Sequence, residues 1–308
     1  MFRLLITFAA AAPLSAADLP DLLDEADTVL WLGDSVTYAG GYVAAVETAL
    51  RRDGRPIPRI INLGLPSEGV TGLTESSHPF PRPNVHERLG RALERIEADL
   101  VVACYGMNDG IYAPLSEQRF AAYRAGIEKL IDAATAAGAE VVLLTPPPFD
   151  PTAERVRDAL VDADAAEFGW KAVYRDYDDV LARYAAHVST LGGRVAAVVD
   201  THTASLALMR RVRRNEPDAV FSADGVHPNA RGHLLLAAAV LGRDAPLTLD
   251  GRWSDVLTLV KQRQDVLKAA YLTEVGHKRP GMKDGPPVEE AEREAAKLLN
   301  RIEAAAAK

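Results

Sequence analysis

The sequence predicts an α/β protein in which five parallel strands form one sheet covered by helices on both faces. Five short runs rich in Val, Ile and Leu recur along the chain, and longer amphipathic patterns lie between them. Strands that alternate with helices imply right-handed crossovers, which place parallel strands in one sheet between helical layers. The runs are continuously apolar, which favours strands buried on both faces.

Each predicted strand ends in Gly, Asn, Asp, Ser or Pro, residues that favour turns. The five runs are TVLWLGDS, RIINLGLPS, DLVVACYGMND, AEVVLLTPPP and RVAAVVDTHT. Amphipathic patterns predict helices over residues 43–52, 85–96, 116–136 and 171–191, the third with Ser116 as its N-cap. Ligands bind beyond the carboxyl ends of such strands, so the polar residues there are the candidates for function.

The chain divides into three predicted parts. Residues 1–17 combine a positive start, an apolar run and small residues, the pattern of a secretory signal peptide cleaved before Asp18. Residues 18–245 hold all five strand runs and form the main domain. Residues 246–308 change character and predict a C-terminal helical extension. Its two helices are expected at 253–271 and 288–307.

Composition limits the partners and the location of the protein. The 308 residues carry a net charge of -8, which disfavours nucleic acid because phosphate binding needs a basic face. The N-terminal apolar run is too short for a stable membrane span. We therefore expect a secreted or periplasmic protein with no nucleic-acid partner and no stable membrane insertion. The single cysteine, Cys104, is expected in the core, and the oligomeric state is open.

One serine lies at the corner where the first predicted strand turns into a helix, within WLGDSVTY at residues 31–38. Serine needs a base within hydrogen-bond reach and donors for the oxyanion before it acts as a nucleophile. Downstream, Asp224 and His227 stand three residues apart in one turn. That spacing lets the carboxylate accept the Nδ1–H of the imidazole, leaving Nε2 for a serine proton. For each segment alone, a capped turn is the alternative.

Two further strand ends offer donors for an oxyanion. Asn108 in YGMNDG ends the third strand, and its side-chain amide can donate, although a turn asparagine is the alternative. The loop NLGLPSEG, residues 62–69, can present a backbone N–H. The remaining histidines form no convincing ligand cluster with Asp or Glu, so we expect neither a metal nor another cofactor.

Taken in order, the GDS, GMND and DGVHP blocks resemble those of the SGNH hydrolases, also called GDSL esterases. The resemblance implies that Ser35 is the nucleophile and also donates its backbone N–H to the oxyanion. It implies that Asn108 is the side-chain donor and that Asp224 and His227 complete the triad. It also makes residues 18–245 the catalytic domain, with the flavodoxin-like three-layer α/β/α sandwich of that family.

The second strand block departs from the family pattern. Counted from Asn62, the place of the family's oxyanion glycine falls on Ser67. A backbone N–H does not require glycine, so Ser67 is the expected second donor. Gly69 is the alternative if the loop is longer here than is usual in the family.

The resemblance implies a secreted serine esterase that deacetylates a carbohydrate or cleaves short-chain acyl esters. An acyltransferase on the same scaffold and an inactive carbohydrate-binding module are the alternatives. The loops 71–84 and 145–151 follow strand ends and could wall the site, or be ordinary surface loops. The cluster Arg210–Arg214 is either a solvated helix face or a subsite for an anionic sugar.

Overall fold

A computed structural model describes residues 18–308, apart from the side chain of Glu154; the predicted signal peptide, residues 1–17, lies outside the described residues. The strands are β1 (Thr28–Gly33), β2 (Arg59–Asn62), β3 (Leu100–Cys104), β4 (Glu140–Leu144), β5 (Leu160–Val161), β6 (Val173–Tyr174) and β7 (Ala197–Val199). Five of them form a parallel sheet in the order β2-β1-β3-β4-β7. The predicted α/β fold with a five-stranded parallel sheet is confirmed.

Helices cover both faces of this sheet. They are α1 (Leu19–Glu25), α2 (Ser35–Ala39), α3 (Gly41–Arg52), α4 (Leu89–Ile96), α5 (Glu117–Ala136), α6 (Tyr177–Ser189), α7 (Thr201–Arg213), α8 (Ala230–Val240), α9 (Arg252–Val275) and α10 (Val288–Ala306). Among the described residues, no helix has the length and apolar character needed to cross a bilayer.

The predicted helix at 171–191 is wrong at its beginning. Residues Val173–Tyr174 form β6, which pairs with β5 in a separate two-stranded ladder, and α6 begins only at Tyr177. The Tyr174 N–H also donates to the Tyr112 carbonyl, which is distant in sequence. Backbone hydrogen bonds to distant partners therefore override the amphipathic pattern in this segment.

Each face of the sheet has its own apolar core, as continuous apolar strands require. Leu30 and Leu32 of β1 point into a core shared with α4, α5 and α6. Val29 and Trp31 point into a second core shared with α1, α3, α7 and α8. Cys104 is buried in the second core, where burial raises the pKa of its thiol well above the usual value.

The C-terminal helices α9 and α10 cover the β2 edge of the sheet. Near its beginning, α9 packs Val256 and Val260 against Ala44 of α3. Further along, Leu267 and Tyr271 join the core on the opposite face of the sheet. Because α9 crosses this edge, it shields β2 from pairing with another chain. The same path brings the linker between α9 and α10 toward the carboxyl ends of the strands.

Candidate active site

The corner after β1 exposes the hydroxyl group of Ser35. A Cβ atom added to Gly33 would lie 2.2 Å from Thr37 Oγ1, so the backbone can turn this tightly only at glycine. The Asp34 side chain caps α2 by accepting the Val36 N–H at 2.9 Å. Ser35 opens α2, and its own N–H has no acceptor among the described residues. The hydroxyl and a free backbone donor therefore stand together at the sheet edge.

The structure brings Ser35, Asp224 and His227 into one line of hydrogen bonds. Ser35 Oγ lies 2.8 Å from His227 Nε2, and His227 Nδ1 lies 2.7 Å from Asp224 Oδ2. The other carboxylate oxygen, Oδ1, accepts the His227 and Val226 N–H groups at 2.8 and 3.0 Å. With one oxygen held by the backbone, the second is aimed at the imidazole and holds the proton on Nδ1.

A glycine lets this turn fold tightly against the loop after β4. Gly225 has a φ of +79°, in the left-handed region that favours glycine. A Cβ atom there would lie 2.7 Å from the Phe149 ring. The Gly225 carbonyl accepts the Asp150 N–H at 2.9 Å, which attaches the turn to that loop. The turn is thereby fixed with His227 above the end of β1.

The charges of the turn make His227 a stronger base than an ordinary histidine. The hydrogen bond with Asp224 raises the pKa of His227, against the opposing effect of burial. Burial alone would raise the pKa of Asp224, but hydrogen bonds from the His227 side chain and backbone hold it well below its usual range. The carboxylate thus stays ionised beside the imidazole at neutral pH. Burial raises the pKa of the neighbouring Asp34 to about 6.

Asn108 follows β3 with its amide held in one orientation. Its Oδ1 accepts Arg82 Nη1 at 2.8 Å and the Tyr112 hydroxyl at 3.2 Å. Its Nδ2 donates one hydrogen to the Glu68 carbonyl at 2.9 Å, which leaves the second hydrogen for another acceptor. Because strong donors hold Oδ1, the NH₂ group cannot exchange places with it.

Hydrogen bonding in the loop 62–69 distinguishes between Ser67 and Gly69, the two residues that the sequence offered as backbone donors. The Gly69 N–H donates to the Pro83 carbonyl at 3.1 Å, whereas the Ser67 N–H has no acceptor among the described residues. Ser67 has a φ of +67°, a conformation that favours glycine. This conformation accounts for the glycine that the family resemblance implies at this place. Of the two, Ser67 has the available N–H.

Asp109, the last residue of the GMND block, holds the adjacent loop. Its Oδ1 accepts the Val70 and Thr71 N–H groups at 2.8 and 3.0 Å. Burial raises the pKa of Asp109 to about 6. Asp109 therefore ties the loop after β2 to the end of β3.

Side chains from the GDS, GMND and DGVHP blocks line one cavity of about 290 Å³. Ser35, Ser67, Asn108 and His227 all border it. The loop 71–84 forms one wall of the cavity, which is one of the two alternatives predicted for it from the sequence. The loop 145–151 lines a neighbouring cleft instead, with Pro147 and Pro148. Arg210 and Arg211 lie outside the cavity, and Arg211 donates to the Asp244 carbonyl.

Four charged or aromatic residues that the sequence analysis did not name as site residues are of particular interest in the cavity lining. Arg82 is buried and forms a two-point ion pair with Glu75, at 2.7 and 2.6 Å. Its Nη1 also lies 3.4 Å from the Ser67 carbonyl. Tyr112, Trp170 and Arg279 complete the set. Arg82 belongs to the loop 71–84, which the sequence analysis considered as a wall of the site, but no local pattern singled out any of these four residues.

We expect Arg82→Gln to lower kcat by roughly 10²-fold, about the effect of losing one oxyanion donor. Glutamine cannot hold Asn108 Oδ1 and Glu75 together, so the amide loses its fixed orientation. Steady-state kinetics on an aryl acetate measures the effect. Arg194→Gln, which breaks the exposed pair with Asp132, is the control and should leave kcat unchanged.

A double variant tests whether Arg82 acts through Asn108. If it does, Arg82→Gln combined with Asn108→Ala lowers kcat no further than Asn108→Ala alone. Additive losses would contradict a positioning role, because they would mean that the guanidinium acts independently of the amide.

Comparison with known proteins gives one family and a shared fold. The model of the GDSL-like lipase/acylhydrolase family matches residues 31–235, a range that holds all the blocks described above. A catalytic mutant of Axe2, an acetylxylan esterase from Geobacillus stearothermophilus, is 21% identical, with a TM-score of 0.50. That alignment covers 70% of this chain and 93% of Axe2.

A second solved structure is a longer protein. BT4096, a gut microbial diltiazem-metabolizing enzyme, is 16% identical with a TM-score of 0.48. The alignment covers 71% of this chain but only 46% of BT4096. No curated protein matches the chain at a significant level. At 21% identity, the Axe2 structure shows a common fold only.

Proposed function

We propose that this chain cleaves its ester through a triad of Ser35, His227 and Asp224. The chain belongs to the GDSL-like lipase/acylhydrolase family and is a carboxylic ester hydrolase. The observation that carries this proposal is the continuous pair of hydrogen bonds, 2.8 Å from Ser35 Oγ to His227 Nε2 and 2.7 Å from Nδ1 to Asp224. A nucleophile, a base and a group that orients the base are thus in contact before substrate binds.

In the first step, Ser35 Oγ attacks the ester carbonyl while His227 Nε2 takes its proton. The carbonyl oxygen becomes negative and receives hydrogen bonds from Ser35 N–H, Ser67 N–H and Asn108 Nδ2. Asp224 stays ionised and stabilises the imidazolium. The tetrahedral intermediate then collapses, the alcohol leaves with the proton from His227, and an acyl-enzyme remains on Ser35.

In the second step, water takes the place of the alcohol. His227 removes a proton from the water, whose oxygen attacks the acyl carbon, and the same donors bind the new oxyanion. The acid leaves, and Ser35 recovers its proton from His227. Apart from the ester and water, these steps use only groups that the chain itself supplies.

An acetylated carbohydrate or another short-chain acyl ester is the proposed substrate. The cavity that Ser35 borders has a volume of about 290 Å³, which accommodates a short acyl group. Trp170 is 47% exposed at its rim and presents a flat aromatic face of the kind that stacks on sugar rings.

We also propose a division of the chain into three parts, as the sequence predicts. Residues 1–17 would direct export, residues 18–245 would form the catalytic domain, and residues 246–308 would form its C-terminal extension. The enzyme would then act on esters outside the cytoplasm.

The test combines a substrate panel with a covalent label. We expect acid release from acetylated xylan, acetylated pectin and aryl esters, with the rate falling as the acyl chain lengthens. A serine-directed phosphonate should modify Ser35, as located by mass spectrometry of the labelled peptide. Acylated acceptor in place of free acid would favour the transferase. If the phosphonate does not label the protein and no acid is released, the alternative of an inactive carbohydrate-binding module would be favoured.

A further inference from the structure

Arg279 brings a positive charge from the C-terminal extension to the catalytic cavity. It lies in the linker between α9 and α10, and its side chain lines the same cavity as Ser35 and His227. The linker reaches this place because α9 crosses the β2 edge of the sheet. The guanidinium stacks on Phe80, 4.9 Å from the ring centroid, which fixes its position beside the wall formed by the loop 71–84.

No carboxylate neutralises this guanidinium among the described side chains. Its Nη1 donates to the Pro280 carbonyl, and its Nε has no hydrogen-bond partner. Arg82, the other arginine of the cavity, differs because Glu75 holds it in a two-point ion pair. A stacked guanidinium at a cavity wall that has no carboxylate partner can bind an anionic group.

The remaining charges of the cavity favour an anion as well. None of the described residues that line it is Asp or Glu, although the whole chain carries a net charge of -8. Burial lowers the pKa of His78, so its ring adds no second positive charge at neutral pH. The positive charge of Arg279 is therefore the main uncompensated charge facing a substrate that reaches Ser35.

We propose that Arg279 binds a carboxylate of the ester substrate, and that the substrate is an acylated saccharide containing uronate residues. This inference rests on the proposed esterase function and names its substrate class. A guanidinium matches a carboxylate in shape and charge, so the pair discriminates charged from neutral sugars. Trp170 supplies the face on which the saccharide stacks, and it borders both this cavity and the next cleft.

That neighbouring cleft gives the saccharide a path past the catalytic histidine. It shares Tyr112, Trp170 and His227 with the cavity. Lys171 lies in it with Nζ 4.7 Å from the centre of the Trp170 ring. Arg155, Asp158 and Asp224 line the same cleft, so a chain stacked on Trp170 passes both positive and negative groups as it leaves the site.

A matched pair of substrates tests the proposal. Acetylated oligogalacturonate carries free carboxylates, and its methyl-esterified form carries the same acetyl esters without the charge. We expect the wild-type enzyme to favour the charged form by about tenfold in kcat/KM. Arg279→Gln should bring this ratio close to one, mainly by raising KM for the charged form. The control Arg210→Gln, an exposed arginine outside the cavity, should keep the wild-type ratio.

Several outcomes would overturn the proposal. If the wild-type enzyme cleaves both forms equally, or if Arg279→Gln keeps the tenfold preference, Arg279 does not bind the carboxylate, while the esterase function stands. A preference for an acetylated, sulfated saccharide over the uronate would overturn the carboxylate assignment. If the wild type cleaves neither form and the phosphonate fails to label Ser35, the esterase function itself fails and this inference fails with it.

Discussion

Ser35→Ala should lower kcat by at least roughly 10⁴-fold and leave KM within a few-fold of the wild-type value. The loss is this large because no other described side chain occupies the place of Oγ, 2.8 Å from His227 Nε2. The oxyanion donors and the cavity remain, so a small residual rate is expected. Acid release from an aryl acetate, followed at substrate concentrations above and below KM, measures both constants.

The control for this variant is another serine hydroxyl. Ser254→Ala removes an exposed hydroxyl near the beginning of α9, which does not line the cavity, and should retain full activity and full phosphonate labelling. Ser35→Ala should retain neither. Wild-type activity in Ser35→Ala, or labelling at a different serine, would mean that the ester is cleaved elsewhere on the chain.

Local chemistry explains why the sequence could indicate the parts of the candidate site. Asp224 and His227 lie in one turn, so their hydrogen bond depends only on a spacing of three residues. The corner at Ser35 likewise follows from Gly33 and Asp34. The two segments meet because parallel strands carry their loops to one edge of the sheet, a property of the fold class.

The remainder of the site depends on contacts that no local pattern encodes. Arg82 reaches Asn108 from a loop whose path is set by its ion pair with Glu75. Arg279 reaches the cavity only because α9 crosses the sheet edge. The predicted beginning of the helix at 171–191 was wrong for the same reason, since β6 is defined by partners distant in sequence. Only the positions of these elements relative to one another fix such contacts.

Asp224→Asn should lower kcat by roughly 10³- to 10⁴-fold, although it changes one atom. The new side chain can still accept the backbone N–H groups of Val226 and His227 at Oδ1, so the turn keeps its shape. Its amide nitrogen, however, would face His227 Nδ1 and donate to it. The imidazole proton then resides on Nε2, which can no longer accept the proton of Ser35.

The pH profile distinguishes this electrostatic role from a loss of structure. His227 must be neutral to act as a base, so kcat/KM falls as the pH falls through its pKa. Asp224 raises that pKa, which places the acid limb of the wild type above the value of about 6.5 for an ordinary histidine. In Asp224→Asn, the opposing effect of burial is no longer outweighed, so the acid limb should move to lower pH.

The control is Asp132→Asn, which removes an equal charge from an exposed pair with Arg194. It should change neither the rate nor the pH at which the acid limb falls. If Asp224→Asn lowers the rate but keeps the wild-type acid limb, the carboxylate does not set the pKa of the base. If Asp224→Asn keeps the wild-type rate, the hydrogen bond at 2.7 Å serves only to hold the turn, and His227 acts without a third member of the triad.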